Sequence, residues 1–73
     1  MRKFLIVIEN AGTNFSAYSP DLPGCVATGK TRRAVEKNMY EAMRFHLEGL
    51  KEDGLPVPAS SSVAEYVLFE EGK

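Results

Sequence analysis

Tyr18-Ser19-Pro20-Asp21-Leu22-Pro23-Gly24-Cys25 is the stretch whose reading decides the fold. Pro20 and Pro23 each lack an amide donor and fix φ, while Gly24 tolerates positive φ, so no β ladder can run through this segment. It must be a corner. Before it, residues 14–19 alternate, with Phe15 and Ala17 on one side and Ser16 and Tyr18 on the other. Earlier still, Asn10-Ala11-Gly12-Thr13 supplies turn chemistry, and Phe4-Leu5-Ile6-Val7-Ile8 is a β-branched-rich apolar run. Strand, turn and strand at this spacing predict a hairpin. The first strand is apolar on both faces, as expected of a central strand covered by a helix on one side and a partner on the other.

Beyond the corner, residues 25–28 predict a short third strand. Gly29-Lys30 leads to Thr31, a natural N-cap, and from Arg32 to about Glu52 the pattern is helical. Val35, Met39, Ala42, Met43, His46 and Leu50 fall on one stripe, with Leu47 at its margin, and charged side chains lie mostly elsewhere. Gly54 is placed to cap the end, and Pro56 and Pro58 prevent the helix from resuming. Residues 59–62 form a connection. Residues 63–70 predict a last strand with Tyr66 and Leu68 facing one way and Val67 and Phe69 the other, before a short tail at 71–73. The expected fold is α+β: one βββαβ domain over residues 1–73, its mixed four-stranded sheet packed on one face by a single helix. A right-handed crossover would set the last strand beside the first and parallel to it.

At 73 residues, scaling rules predict roughly 4,500 Å² of accessible surface for the folded chain against roughly 11,700 Å² when open. Apolar burial and conformational entropy then nearly cancel, and a domain this small without disulfides often gains its margin from a second copy or a partner. A homodimer or higher homo-oligomer is the expectation. The composition, 44% hydrophobic and 26% charged with net charge −1, is that of an ordinary globular protein and lacks the basic stripe of a dedicated nucleic-acid binder. One cysteine fits a reducing cytoplasm. The apolar start is too short for a signal peptide, and no stretch is long enough to span a bilayer.

Tyr18, Pro20, Asp21, Leu22, Pro23, Gly24 and Cys25, followed by Ala27, Gly29 and Thr31, closely resemble the signature of the HicB antitoxin family. Asn38, Glu41-Ala42, His46-Leu47 and Gly54-Leu55-Pro56-Val57-Pro58 extend the likeness over about the whole chain. The resemblance implies a degraded ribonuclease-H-like fold and a role in binding and occluding a HicA-type messenger-RNA-cleaving toxin. Many members add a C-terminal DNA-binding domain. This sequence stops after the last strand, so neither such a domain nor direct operator binding is expected. Arg32 and Arg33 depart from the acidic residues many members place at the helix start. A toxin-free, oligomeric ligand- or RNA-binding domain is the alternative reading.

Several residues invite a chemical role. Ribonuclease-H-like enzymes hold metal ions on clustered carboxylates, one from the middle of the first strand. Here Glu9 stands only at that strand's end, Asp21 is in the turn and Glu41 on the helix, so neither metal nor catalysis is expected. No cofactor is implied. His46 lies on the apolar stripe as a packed histidine rather than a ligand, and Cys25 has no evident base, which favours a small buried side chain. Lys30, Arg32, Arg33 and Lys37 form a basic cluster diluted by Glu36 and Glu41, a solvated face before a nucleic-acid site. Asp21 either bonds nearby turn amides or meets a partner. Leu22, between two prolines, either packs under the helix or presents an apolar contact. With Val26 and Thr28 on the third strand, Asp21 and Leu22 make up the candidate partner-binding residues. The sheet face away from the helix is the other candidate surface.

Overall fold

A computed structural model describes residues 2–72, so Met1 and the last tail residue, Lys73, lie outside the described residues. Strands β1 (Val7–Asn10), β2 (Phe15–Tyr18) and β3 (Val26–Gly29) form an antiparallel sheet in the order β1-β2-β3, and helix α1 (Arg32–Glu52) crosses one face. The hairpin turn is closed by the Ala11 amide donating to the Asn14 carbonyl at 2.8 Å and the Gly12 amide donating to Asn10 Oδ1 at 2.9 Å.

Register sorts the strand residues between two faces. Ile8 lies opposite Ala17 and Ala17 opposite Ala27, while Asn10, Phe15 and Gly29 align one step further along. Ile8, Phe15, Ala17 and Ala27 turn toward the helix, where Val35 and Met39 are fully buried and Ala42, Met43 and Leu47 pack at the margin. Ala17 and Ala27 are small because the helix lies close above them. Its approach is closest at Gly29, where a Cβ would stand 2.5 Å from the Val35 nitrogen. A side chain at this position is excluded by helix backbone.

The helix begins as its sequence demands. The Ala34 amide donates to Thr31 Oγ1 at 3.0 Å, and the Val35 amide donates to the Thr31 carbonyl at 2.9 Å. It ends in a Schellman arrangement, with the Leu55 amide on the Leu50 carbonyl at 2.9 Å and the Gly54 amide on the Lys51 carbonyl at 3.1 Å. Asn38 Nδ2 donates to the Thr28 carbonyl at 2.8 Å and ties the helix to β3.

Two elements differ from the sequence expectation. The first strand pairs at Val7–Asn10 and not at residues 4–8. Its partner β2 ends at Tyr18 because Pro20 cannot continue a ladder, and register therefore leaves Phe4, Leu5 and Ile6 beyond the end of β2. The Ser19 hydroxyl, donating to the Leu5 carbonyl at 2.8 Å, substitutes for one missing backbone bond. The second difference is larger: residues 63–70 carry no strand pairing, and the sheet among the described residues has three strands instead of the expected four. The segment leaves the body of the domain, and its apolar side chains are exposed.

Candidate interaction surface

The corner at 20–25 is built on short local bonds. The Leu22 amide donates to the Ser19 carbonyl and the Cys25 amide to the Leu22 carbonyl, each at 3.1 Å. Gly24 takes φ +84°, a conformation that L side chains rarely adopt. These bonds aim the Leu22 side chain inward, where its exposure is 0%, packed with Cys25, Val35 and Met39. Leu22 is therefore a core residue and not the partner contact that the sequence also suggested: the turn directs it under the helix.

Asp21 does something that neither sequence alternative named. Its carboxylate accepts from the Ser61 amide (3.1 Å) and hydroxyl (3.2 Å) and from the Ser62 amide (3.0 Å) and hydroxyl (2.9 Å), forty residues further along the chain. The Ser62 amide holds this carboxyl below its ordinary range. Partial burial pushes the other way, and the remaining serine groups add to the lowering. The side chain is thus a clamp on the segment that follows the helix. Nothing in the sequence pattern pairs Asp21 with Ser61 and Ser62, because the contact depends on tertiary placement.

The other candidates stay accessible. On the sheet face away from the helix, Val7, Tyr18 and Val26 align across the strands, as do Glu9, Ser16 and Thr28. Tyr18, Val26 and Thr28 are exposed, Val26 to 65%. β3 is also an outer strand of the sheet and so offers an edge for pairing. Behind that edge, an open cleft runs between Gly24, Cys25 and Val26 on one side and Phe45, His46 and Gly49 on the other. Phe45 is 80% exposed. Sequence reading passed over it because it lies off the apolar stripe, and a large aromatic on the solvent side of a helix was the available signal.

The chemically suggestive groups are not assembled. Glu9 lies on the outer sheet face, Asp21 is bonded to its serines, and Glu41 meets Arg44 at 3.4 Å on the exposed helix surface. Among the described residues no group of three or more His, Cys, Asp or Glu is placed to hold a metal ion. Burial raises the Cys25 thiol pKa and favours the protonated form. His46 is half-buried beside it along the cleft. Lys30, Arg32, Arg33 and Lys37 are exposed around the helix start.

Comparisons with known proteins converge. The chain is 36% identical over 68 residues to an uncharacterized 14.9 kDa protein in the rep-hol intergenic region of Haemophilus phage HP1, covering 93% of this chain and 51% of that protein. It thus spans about half the length of the phage relative. It is 29% identical over 62 residues to the UPF0150 protein Ta0767 of Thermoplasma acidophilum, covering 85% of this chain and 90% of that one. Among solved structures it resembles a chain of the HicA3 and HicB3 toxin–antitoxin complex, with a TM-score of 0.65 and 32% identity over 81% of this chain and 72% of that chain. The family model for the HicB-like antitoxin of bacterial toxin–antitoxin systems matches residues 4–72, which take in the corner, the helix and the clamped segment together. The chain belongs to the HicB-like antitoxin family.

Proposed function

We propose that this protein is an antitoxin that acts by association and not by catalysis, binding a HicA-type messenger-RNA-cleaving toxin and covering its active surface. The observation that carries the reading is the likeness, at 32% identity, to a chain of a toxin–antitoxin complex. The surface offered to the toxin is the β3 edge with its neighbouring outer face. Val26 and Thr28 stand there with Tyr18, and Phe45 borders the cleft behind. An edge strand supplies main-chain groups for pairing, and exposed apolar side chains next to it supply affinity. Asp21 is not part of that surface in this reading, since its carboxylate is taken up by Ser61 and Ser62. The activity belongs in the cytoplasm with its messenger-RNA target, and no described helix is long and apolar enough to cross a membrane.

The same reading has the chain self-associate as a homodimer or higher homo-oligomer. Its finer fold is ribonuclease-H-like, with residues 63–70 as the fourth strand once association has occurred.

The test is co-expression with the product of the neighbouring toxin-like reading frame, followed by affinity capture and a growth-rescue assay. The wild-type chain captures the toxin and relieves growth arrest. Val26→Glu places a charge at the centre of the contact and abolishes capture, with the helical circular-dichroism signal unchanged. Failure of the wild-type chain to bind the toxin, or undiminished capture by Val26→Glu, refutes the toxin reading or the assigned surface respectively.

A further inference from the structure

The segment after the clamp is the most conspicuous unexplained feature of the molecule. Tyr66 is 101% exposed and Leu68 97%, and Val63, Val67 and Phe69 are also largely solvent-facing. The principal extents are 56 × 28 × 20 Å. The radius of gyration is 14.9 Å, where a compact chain of this length has about 11 Å. The accessible surface is 6335 Å², about 1,800 Å² above the scaling value for a folded chain of this mass. A stable interface takes about 800 Å² from each partner. The excess is therefore large enough to be buried in a complete interface.

A matching deficit lies elsewhere on the same chain. β1 is an outer strand of the sheet, and Phe4, Leu5 and Ile6 lie beyond the end of β2. Phe4 and Ile6 nevertheless pack against the core, which holds this segment in place as a ready edge. Residues 60–64 approach Lys3, Phe4 and Leu5 across an open cleft without forming a ladder. The Asp21 bonds to Ser61 and Ser62 fix the root of the segment, and Val63 is the first residue beyond them. The sequence beyond follows a strand's alternation, which sets Tyr66 and Leu68 on one face and Val67 and Phe69 on the other.

We propose that residues 63–70 are an exchanged arm, and that two copies of this chain trade it, each arm adding as a fourth strand along the residue 4–8 edge of the other. The occupant is a second copy because every copy carries both the strand and the unfilled edge. Reciprocal exchange satisfies both deficits at once and closes as a symmetric dimer. A partner that took the arm alone would leave the β1 edge open. This deepens the self-association proposed above and is independent of toxin binding, which is assigned to the opposite, β3 edge.

The experiment combines sedimentation equilibrium at micromolar concentration with isotope-filtered NMR on a mixture of labelled and unlabelled 73-residue chains. The expected result is a dimer with intermolecular contacts to Ile6 and Ile8 from one face of the arm, either Tyr66 and Leu68 or Val67 and Phe69. Val67→Pro removes an amide donor from a segment that makes no strand pairing in the single chain, so the helix signal is retained. The dimer weakens by about 100-fold or more. A monomer overturns both the exchange and the self-association. A dimer without intermolecular arm contacts, or one indifferent to Val67→Pro, overturns the exchange and leaves self-association standing.

Discussion

Replacing Leu22 with alanine tests whether the corner is a piece of core or a piece of surface. Leu22 has no exposed area and lies against Cys25, Val35 and Met39, the latter two also fully buried. Truncating a buried leucine costs about 2–5 kcal/mol, and the value depends on how far the surroundings can collapse into the space. Collapse is restricted here. The Leu22 amide and carbonyl are both bonded within the turn, and prolines stand at positions 20 and 23. The expected loss therefore falls in the upper part of the range, about 3–5 kcal/mol. A chain of this size is stable by about 4–11 kcal/mol in all, so the variant forfeits about a quarter of its margin or more. Its Tm falls by about 15 °C or more. The assay is urea and thermal unfolding followed by helical circular dichroism, at one fixed protein concentration because the proposed self-association would shift apparent stability. Leu22→Met preserves volume and loses less than about 1.5 kcal/mol. A Leu22→Ala change within about 0.5 kcal/mol of wild type is the signature of a surface position. That result, especially paired with a loss of toxin capture, would refute the placement of Leu22 in the core and return it to the interaction surface.

Gly29→Ala puts a methyl 2.5 Å from the Val35 nitrogen and 2.8 Å from its Cα. The first turn of the helix must lift, and urea unfolding should show a loss of about 1–3 kcal/mol; wild-type stability would mean that the helix is not seated on β3. For Asp21, the folded pKa lies below the unfolded value of 3.8, so the clamp's contribution is full above that pH and is lost as pH falls through the lower folded value. The Ser61 and Ser62 amide shifts should titrate with a midpoint below 3.8 and stop titrating in Asp21→Asn. A midpoint at or above that value in the wild-type chain contradicts the clamp.

The local rules of the chain were legible where local chemistry decides. Thr31 as N-cap, the helix end at Gly54 and the hairpin at residues 10–13 all follow from side chains acting on backbone within a few positions. The apolar stripe identified Val35 and Met39 as core for the same reason. Legibility failed where two distant segments had to be placed together. Periodicity cannot say whether residues 63–70 find their partner in the same chain, since alternation records only that a strand has two faces. Nor could turn statistics assign Asp21 to Ser61 and Ser62. The four residues expected to face a partner divided accordingly. Val26 and Thr28, fixed by strand alternation, emerged exposed, while Asp21 and Leu22, fixed by the tertiary course of a turn, were taken into the fold.

That division makes one corner govern several features of the fold at once. Pro20 follows directly on the end of β2, which leaves residues 4–6 as an edge beyond it. Asp21, the next residue, fixes the root from which the C-terminal segment departs. Leu22 anchors the corner to the helix, and Cys25 delivers the chain into β3, whose edge carries Val26 and Thr28. A turn of six residues thus sets three things at once: where the first strand lacks a neighbour, where the unpaired strand begins, and where the accessible edge lies. Changing any one of Pro20, Asp21 or Leu22 displaces an edge and not a contact. On the two associations proposed above, substitutions here should act on both through the scaffold, whereas a substitution at Val26 or Val67 should act on one alone.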